Sequence, residues 1–252
     1  MLLIHHISLS PEQLKLIPQS KRRLLVLVAH AANELSVLSK LFHFMAGPSS
    51  DVAILMQAEN MQALVIGRLL AGKIYECWNL LKSAFFGNAI SKDYEQKFDP
   101  EASAALSQLK KYFGRENITA TVRNGHTFHY SLDQVDGDFN TLTEGDALDI
   151  YLAKSVTNTL YVFGDTIAGR AMLEGIKPGA HQEGYEALLL ETSLAVKHMQ
   201  TMIDTIMDLC FQKHLGGNLY VLGAKMIKIK GAPDSQTVKI PYFIEIYDDK
   251  DE

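Results

Sequence analysis

Between Ile118 and Tyr130 the chain gathers four residues that can bind or move charge: Arg123, Asn124, His126 and His129. Histidine titrates near neutral pH and can take up or release a proton. Arginine stays charged and presents a planar fork that matches two phosphate oxygens. Asparagine can orient either the phosphate or a neighbouring side chain. An arginine and a histidine that meet at one phosphodiester form a sufficient minimal set for its cleavage, and no metal is required. On a helix, His126 is three residues from both Arg123 and His129, so the trio shares one side. At 100° per residue Arg123 and His129 stand ~120° apart, flanking that side rather than aligned on it. The blander alternative is that these groups cap or staple a partly exposed helix.

Other constellations carry less. His126 and His129 could be grouped with His30 or His43, but no carboxylate is fixed beside them and no metal site is read there. Gly72-Lys73 has neither the upstream glycine nor the preceding strand of a phosphate loop. A serine nucleophile elbow, a Cys/His pair and zinc-type cysteine spacing are all absent. Glu34 and Glu76 are mid-helix acids that could reach Arg123, and a structural ion pair is the expected role for them. The two cysteines, Cys77 and Cys210, each sit in an apolar helical pattern and read as reduced core thiols in a reducing compartment. No cofactor is implied. A net charge of −5 and a pI near 6.0 argue against a broad nucleic-acid platform, so any such chemistry must work through a local cluster.

Long helices must position that cluster. Ser10-Pro11-Glu12-Gln13 reads as a helix start, with Ser10 as N-cap and proline at the first helical position. A longer helix is predicted from about Gln19 to Ala46, with Leu24, Leu27, Val28, Ala31, Leu35, Leu38 and Leu41 at three- and four-residue steps. Gly47-Pro48-Ser49-Ser50 ends it, and Asp51 caps a second long helix reaching about Phe86. Gly67 and Gly72 inside that helix invite close approach of a neighbour. A short helix is predicted around Ser91–Phe98, another from Asp99-Pro100-Glu101 to Phe113, and the motif helix from about Glu116 towards Tyr130. The acidic stretch Asp133–Gly145 reads as loop, Leu148–Leu152 as strand and Asn158–Glu174 as helix. A last long helix spans roughly Glu183–His214 and closes at Gly216-Gly217. Beyond it, Tyr220–Lys230 and Val238–Ile246 are β-rich and flank a turn at Gly231–Ser235, a hairpin pattern.

Within this setting Arg123-Asn124, followed by His129, resembles the Arg-polar-x(3–5)-His signature of the HEPN superfamily, and Phe128 and Tyr130 beside His129 are similar to many bacterial members. The order of long helices before the motif resembles the family over residues 19–214. The resemblance implies a helical bundle that dimerises with the motif helices facing, and a metal-independent RNA-cleaving site in the shared groove. It implies that Arg123 holds the scissile phosphate and that His129 transfers the proton at the 2′-hydroxyl or the leaving oxygen. Asn124 would orient both, and a 2′,3′-cyclic phosphate would be left. His126 is an extra histidine and leaves open which of the two acts.

The expected fold is therefore mainly α, an antiparallel helical bundle with a small C-terminal β-hairpin. Residues 1–217 form the HEPN-like bundle, and residues 218–252 form a tail packed on it. No positively charged leader opens the chain and no apolar run approaches the ~20 residues of a membrane span, which points to a cytoplasmic protein without a membrane partner. Two functions follow as expectations. One is an endoribonuclease acting in a toxin or defence setting, with RNA as substrate, a homodimer as its assembly and an antitoxin or regulatory protein as partner. The other is a non-catalytic helical interaction or dimerisation module.

Overall fold

The structure, a computed structural model, describes residues 2–46, 50–127, 139, 142–146, 148–219, 221–222 and 225–245. The fold is mainly α, a helical bundle with short strands at its margins. In chain order the elements are β1 (Leu2–His6), α1 (Pro11–Leu16), α2 (Gln19–Met45), α3 (Ala53–Ala84), α4 (Ala89–Glu95), α5 (Pro100–Phe113) and α6 (Ile118–Val122). A π-helical turn over Arg123–Thr127 follows, then β2 (Ile150–Tyr151), β3 (Leu160–Tyr161), α7 (Val162–Ile176), α8 (His181–Leu215) and β4 (Lys225–Ile229).

Local signals explain most helix starts. The Ser10 hydroxyl accepts from Gln13 N while the Gln13 side chain accepts from Ser10 N, a reciprocal capping box. Asp99 accepts from Ala102 N at 2.7 Å ahead of Pro100, and Asn88 accepts from Ile90 N at 2.8 Å at the head of α4. The second long helix starts at Ala53, not on Asp51; Ser50 bonds to Val52 N and Glu59 instead.

By contacts the chain divides into two compact units. Unit 1 comprises 1–37, 73–117 and 192–234; unit 2 comprises 38–72, 118–191 and 235–252. The helices α2, α3 and α8 each supply one stretch to each unit.

Unit 1 is built on the inward rows of its helices. Leu24, Leu25, Val28 and Leu35 of α2, Ile74 and Leu81 of α3, Leu109 of α5 and Met199, Met202 and Ile206 of α8 are all buried. Burying each such side chain contributes roughly 1.5–3 kcal/mol. Aromatic rings close one side: Trp78 stacks on Phe113 at 4.6 Å between centroids, and Phe85 packs beside Tyr94 and Phe98. Both cysteines are buried and neither is in a disulfide. Burial, and then the nearby Glu34 carboxylate, pushes the Cys77 thiol up to about 12, against a smaller opposing pull from Lys73.

In unit 2 the close approach predicted at Gly67 is real. A Cβ there would lie 3.0 Å from Phe42 Cζ and 3.3 Å from Leu188 Cδ2, so only hydrogen fits without movement. Ala58, Leu160 and Val162 form a small core patch, with Met61, Tyr151, Tyr242 and Phe243 against it.

The β tail differs from the hairpin expectation in its partner. β4 forms inside the predicted stretch, but it pairs antiparallel with β1, Leu2 opposite Ile229 and His6 opposite Lys225. No strand occurs among the described residues of Val238–Ile246. The reason is chemical. Pro241 lacks the N–H that a ladder needs, and the Asn158 side chain takes both the N–H (3.0 Å) and the C=O (2.6 Å) of Ile244. Tyr242 also donates its hydroxyl to Thr159 O at 2.6 Å, so this segment is held in an irregular path.

One property escapes a count of uninterrupted apolar residues. α2 is long and apolar enough to cross a membrane by length and composition, and 28% of its most apolar window is buried. His30, Asn33 and Glu34 break the run, which is why it reads as an ordinary amphipathic helix in the sequence.

Candidate functional site

The motif segment stands in unit 2. Ile118, Thr119 and Val122 are buried and fix α6, so the residues that follow are placed by a short, well-anchored stem. The helix predicted from Glu116 towards Tyr130 does not continue as an α-helix. After Val122 it widens into the π turn Arg123–Thr127. Ile118, Thr119, Thr121 and Val122 are β-branched and Gly125 has no side chain, so little local preference holds the tighter coil. π turns are rare and cluster at functional sites. The 100° step used to place the motif on an α-helix does not carry over to this turn.

On the turn, Arg123 and His126 are half-buried and Asn124 is exposed. Arg123 Nη1 donates to Asn124 Oδ1 at 3.1 Å, which links the guanidinium to the neighbouring amide. His126 is turned towards α7. Its Nε2 lies 3.6 Å from the position a Cβ on Gly175 would take, beside Thr121 Cγ2 at the same distance. Gly175 therefore forms a notch against which the imidazole rests. His129 lies outside the described residues, as do Phe128 and Tyr130.

Glu34, considered for Arg123, is engaged elsewhere. It accepts from Lys73 Nζ at 2.9 Å and stands 3.6 Å from His30 Nε2, a structural ion pair with partners other than Arg123.

Sequence reasoning passed over the charged groups around the α7–α8 corner. Arg170 pairs with Asp146. Glu174, next to the Gly175 notch, accepts from Gly179 N at 2.9 Å and lies 3.0 Å from His181 Nε2. The Gly179 backbone bond is the main cause that holds the Glu174 carboxyl below its ordinary value, with His181 and Arg170 adding to it. Asp146 is held low chiefly by the backbone N–H of Thr143. The signal for this corner is Lys177-Pro178-Gly179, where Gly179 takes the left-handed conformation that only glycine adopts freely. Nothing in the residue pattern announces the Glu174–His181 clamp.

Chemically, the turn offers a cation bonded to a neighbouring amide oxygen, and an imidazole one turn along in a partly shielded position. Among the described residues, no three of His, Cys, Asp or Glu come together as a cation site. No protein-family model, no curated protein and no solved structure matches the chain.

Unit 2 also has a pronounced charge. It holds 8 Lys and Arg against 18 Asp and Glu, a net of −10, whereas unit 1 holds 16 against 11, a net of +5. The candidate turn is thus a local cation in an acidic body.

Proposed function

We propose that this chain is a metal-independent endoribonuclease of HEPN type. The observation that supports it is the oriented Arg123. A guanidinium held by Asn124 and half-shielded at the end of a buried stem is preorganised for one phosphate, and preorganised charge is worth more than a freely moving one. Arg123 holds the scissile phosphate and stabilises the charge that develops on it. His129 or His126 moves the proton, and Asn124 positions the arginine. The product carries a 2′,3′-cyclic phosphate. The −10 balance of unit 2 repels a long polyanion, so the substrate is a short accessible stretch of RNA rather than an extended duplex. A homodimer and a regulatory protein that restrains a toxin-like activity belong to the same proposal.

The test is cleavage of RNA by the purified chain in EDTA, beside Arg123→Ala, His126→Ala and His129→Ala. Removing Arg123 or the acting histidine lowers the rate on the order of 10²–10⁴-fold. Comparing the two histidine variants tells which one works. Equal cleavage by all four proteins, or none by the wild type, removes the proposal.

A second reading is a non-catalytic interaction module. It draws on Val26 and Leu27 of α2, large apolar side chains exposed side by side in unit 1. It predicts oligomers that weaken when those two residues become serine, with no RNA turnover.

A further inference from the structure

The β1–β4 ribbon is the least explained part of unit 1. All ten of its residues are exposed, and so is every residue from Lys230 to Thr237. Two strands with neither face packed are marginal in water, and stability ordinarily needs a third strand or a covered face. The register sorts its side chains. Leu2 with Ile229, Ile4 with Ile227 and His6 with Lys225 share one face; Leu3 with Lys228 and His5 with Met226 share the other. One face is therefore a block of four aliphatic residues with a basic end. Leu2, Ile4, Ile227 and Ile229 are 48%, 39%, 39% and 38% exposed.

The charge along the ribbon itself has one sign. Residues 1–11 and 225–233 contain no acid, while Lys225, Lys228 and Lys230 follow one another at close intervals. Among the described residues no carboxylate pairs with any of the three, and the unit they belong to carries the net +5. In the same unit the first part of α2 exposes Val26 and Leu27 beside Arg23.

We infer that unit 1 binds reversibly to an anionic phospholipid surface, with the β1–β4 ribbon as the inserting element. Aliphatic side chains enter the boundary between headgroups and acyl chains, and lysines stay at the phosphate level on their flexible stems. The ribbon is one strand thick, so Lys228 and Lys230 on its other face remain within a Debye length of the surface. A second copy fits less well. A ribbon about 17 Å long and two strands wide falls far short of the ~800 Å² that each partner gives to a stable interface. Pairing like with like would also bring two +5 units together. RNA fits less well too, because the ribbon has no Phe, Tyr or Trp ring on which a base could stack and no arginine fork. None of this uses Arg123.

The experiment is flotation of the full chain with vesicles of phosphatidylcholine alone and of phosphatidylcholine with phosphatidylserine. The wild type should float with the anionic vesicles only, and lose most of that binding when salt rises from about 0.05 to about 0.5 M. The triple variant Lys225→Gln, Lys228→Gln, Lys230→Gln should bind more weakly, by about 5-fold for Lys225 and by less for each of the two lysines on the far face, on the order of 10-fold or more in all. Ile227→Ser with Ile229→Ser should weaken binding while leaving its salt dependence in place. All five positions are exposed, so helical circular dichroism should stay unchanged, and the salt response of the wild type needs no variant at all. Equal partition to both vesicle types, no flotation, or binding untouched by the lysine triple overturns the inference. So does a result in which these variants alter only binding of a single-stranded RNA oligomer or only the oligomeric state.

Discussion

Gly175 offers the sharpest test of the site geometry. It occupies the last turn of α7, with helical backbone, and a Cβ built there would stand 3.6 Å from both His126 Nε2 and Thr121 Cγ2. That is ordinary van der Waals contact, so alanine fits without moving the imidazole. Glycine costs up to about 1 kcal/mol against alanine in a helix, less near its end, so Gly175→Ala should stabilise by a few tenths to about 1 kcal/mol. For a chain of this size that raises the melting temperature by up to about 4 °C. Leucine is a different case, because its added carbons need the space that the ring and the Thr121 methyl occupy. Overpacking of this kind costs about 1–3 kcal/mol and displaces whichever neighbour yields more easily. Here the half-buried imidazole at the end of α6 should move. Calorimetry of the two variants, with RNA cleavage in EDTA alongside, reads both effects. The Gly175→Ala protein should keep cleavage, and the Gly175→Leu protein should lose it if His126 acts in or positions the site. Destabilisation of more than about 1 kcal/mol by alanine would refute the seating of His126, as would a leucine variant indistinguishable from wild type in melting.

Two further predictions concern unit 1. Tyr94 is 1% exposed, and its hydroxyl oxygen is buried with no hydrogen-bond partner among the described residues; burial first, then the neighbouring Cys210, raises its pKa. Tyr94→Phe should therefore stabilise by about 1 kcal/mol, seen as a higher urea midpoint at unchanged slope, and a loss of that size would mean the hydroxyl is bonded after all. Asp93 receives Lys213, and also Lys21 and Lys97 at 3.4 Å each, and the Lys213 hydrogen bond is the main cause that holds its carboxyl down at about 2. A depressed carboxyl pKa contributes stability that is complete above the unfolded value of about 3.9 and disappears as pH falls towards 2. The gap in urea midpoint between wild type and Asp93→Asn should follow that course, and a gap independent of pH from about 5 down to about 2 would discard the assignment.

Much of the fold is legible in the residues because capping and apolar period act locally. Ser10, Asp99 and the long stripes of α2, α3 and α8 appear where the residues demand them. What is not legible depends on partners distant in sequence. Leu160-Tyr161 continue the helical pattern of the residues after them, yet they extend to pair with Ile150-Tyr151, and α7 begins only at Val162. Leu2–His6 reads as a bare apolar start, and only β4, more than two hundred residues away, makes it a strand. The cluster Arg123, Asn124, His126 is visible from residue types alone. Its widening into a π turn, the asparagine's grip on the arginine and the glycine notch for the imidazole are not, since each is set by backbone geometry or by α7.

The way the two units are threaded has a consequence for synthesis. Each draws on an early, a middle and a late stretch, and the last stretch of unit 1 begins at Thr192. While the ribosome is still short of that point, the aliphatic rows of α2 and α3 lack the α8 stretch that completes their cover. The nascent chain thus spends most of its translation with sticky helices exposed, a period in which chaperone occupancy matters more than for a protein whose domains close one after another.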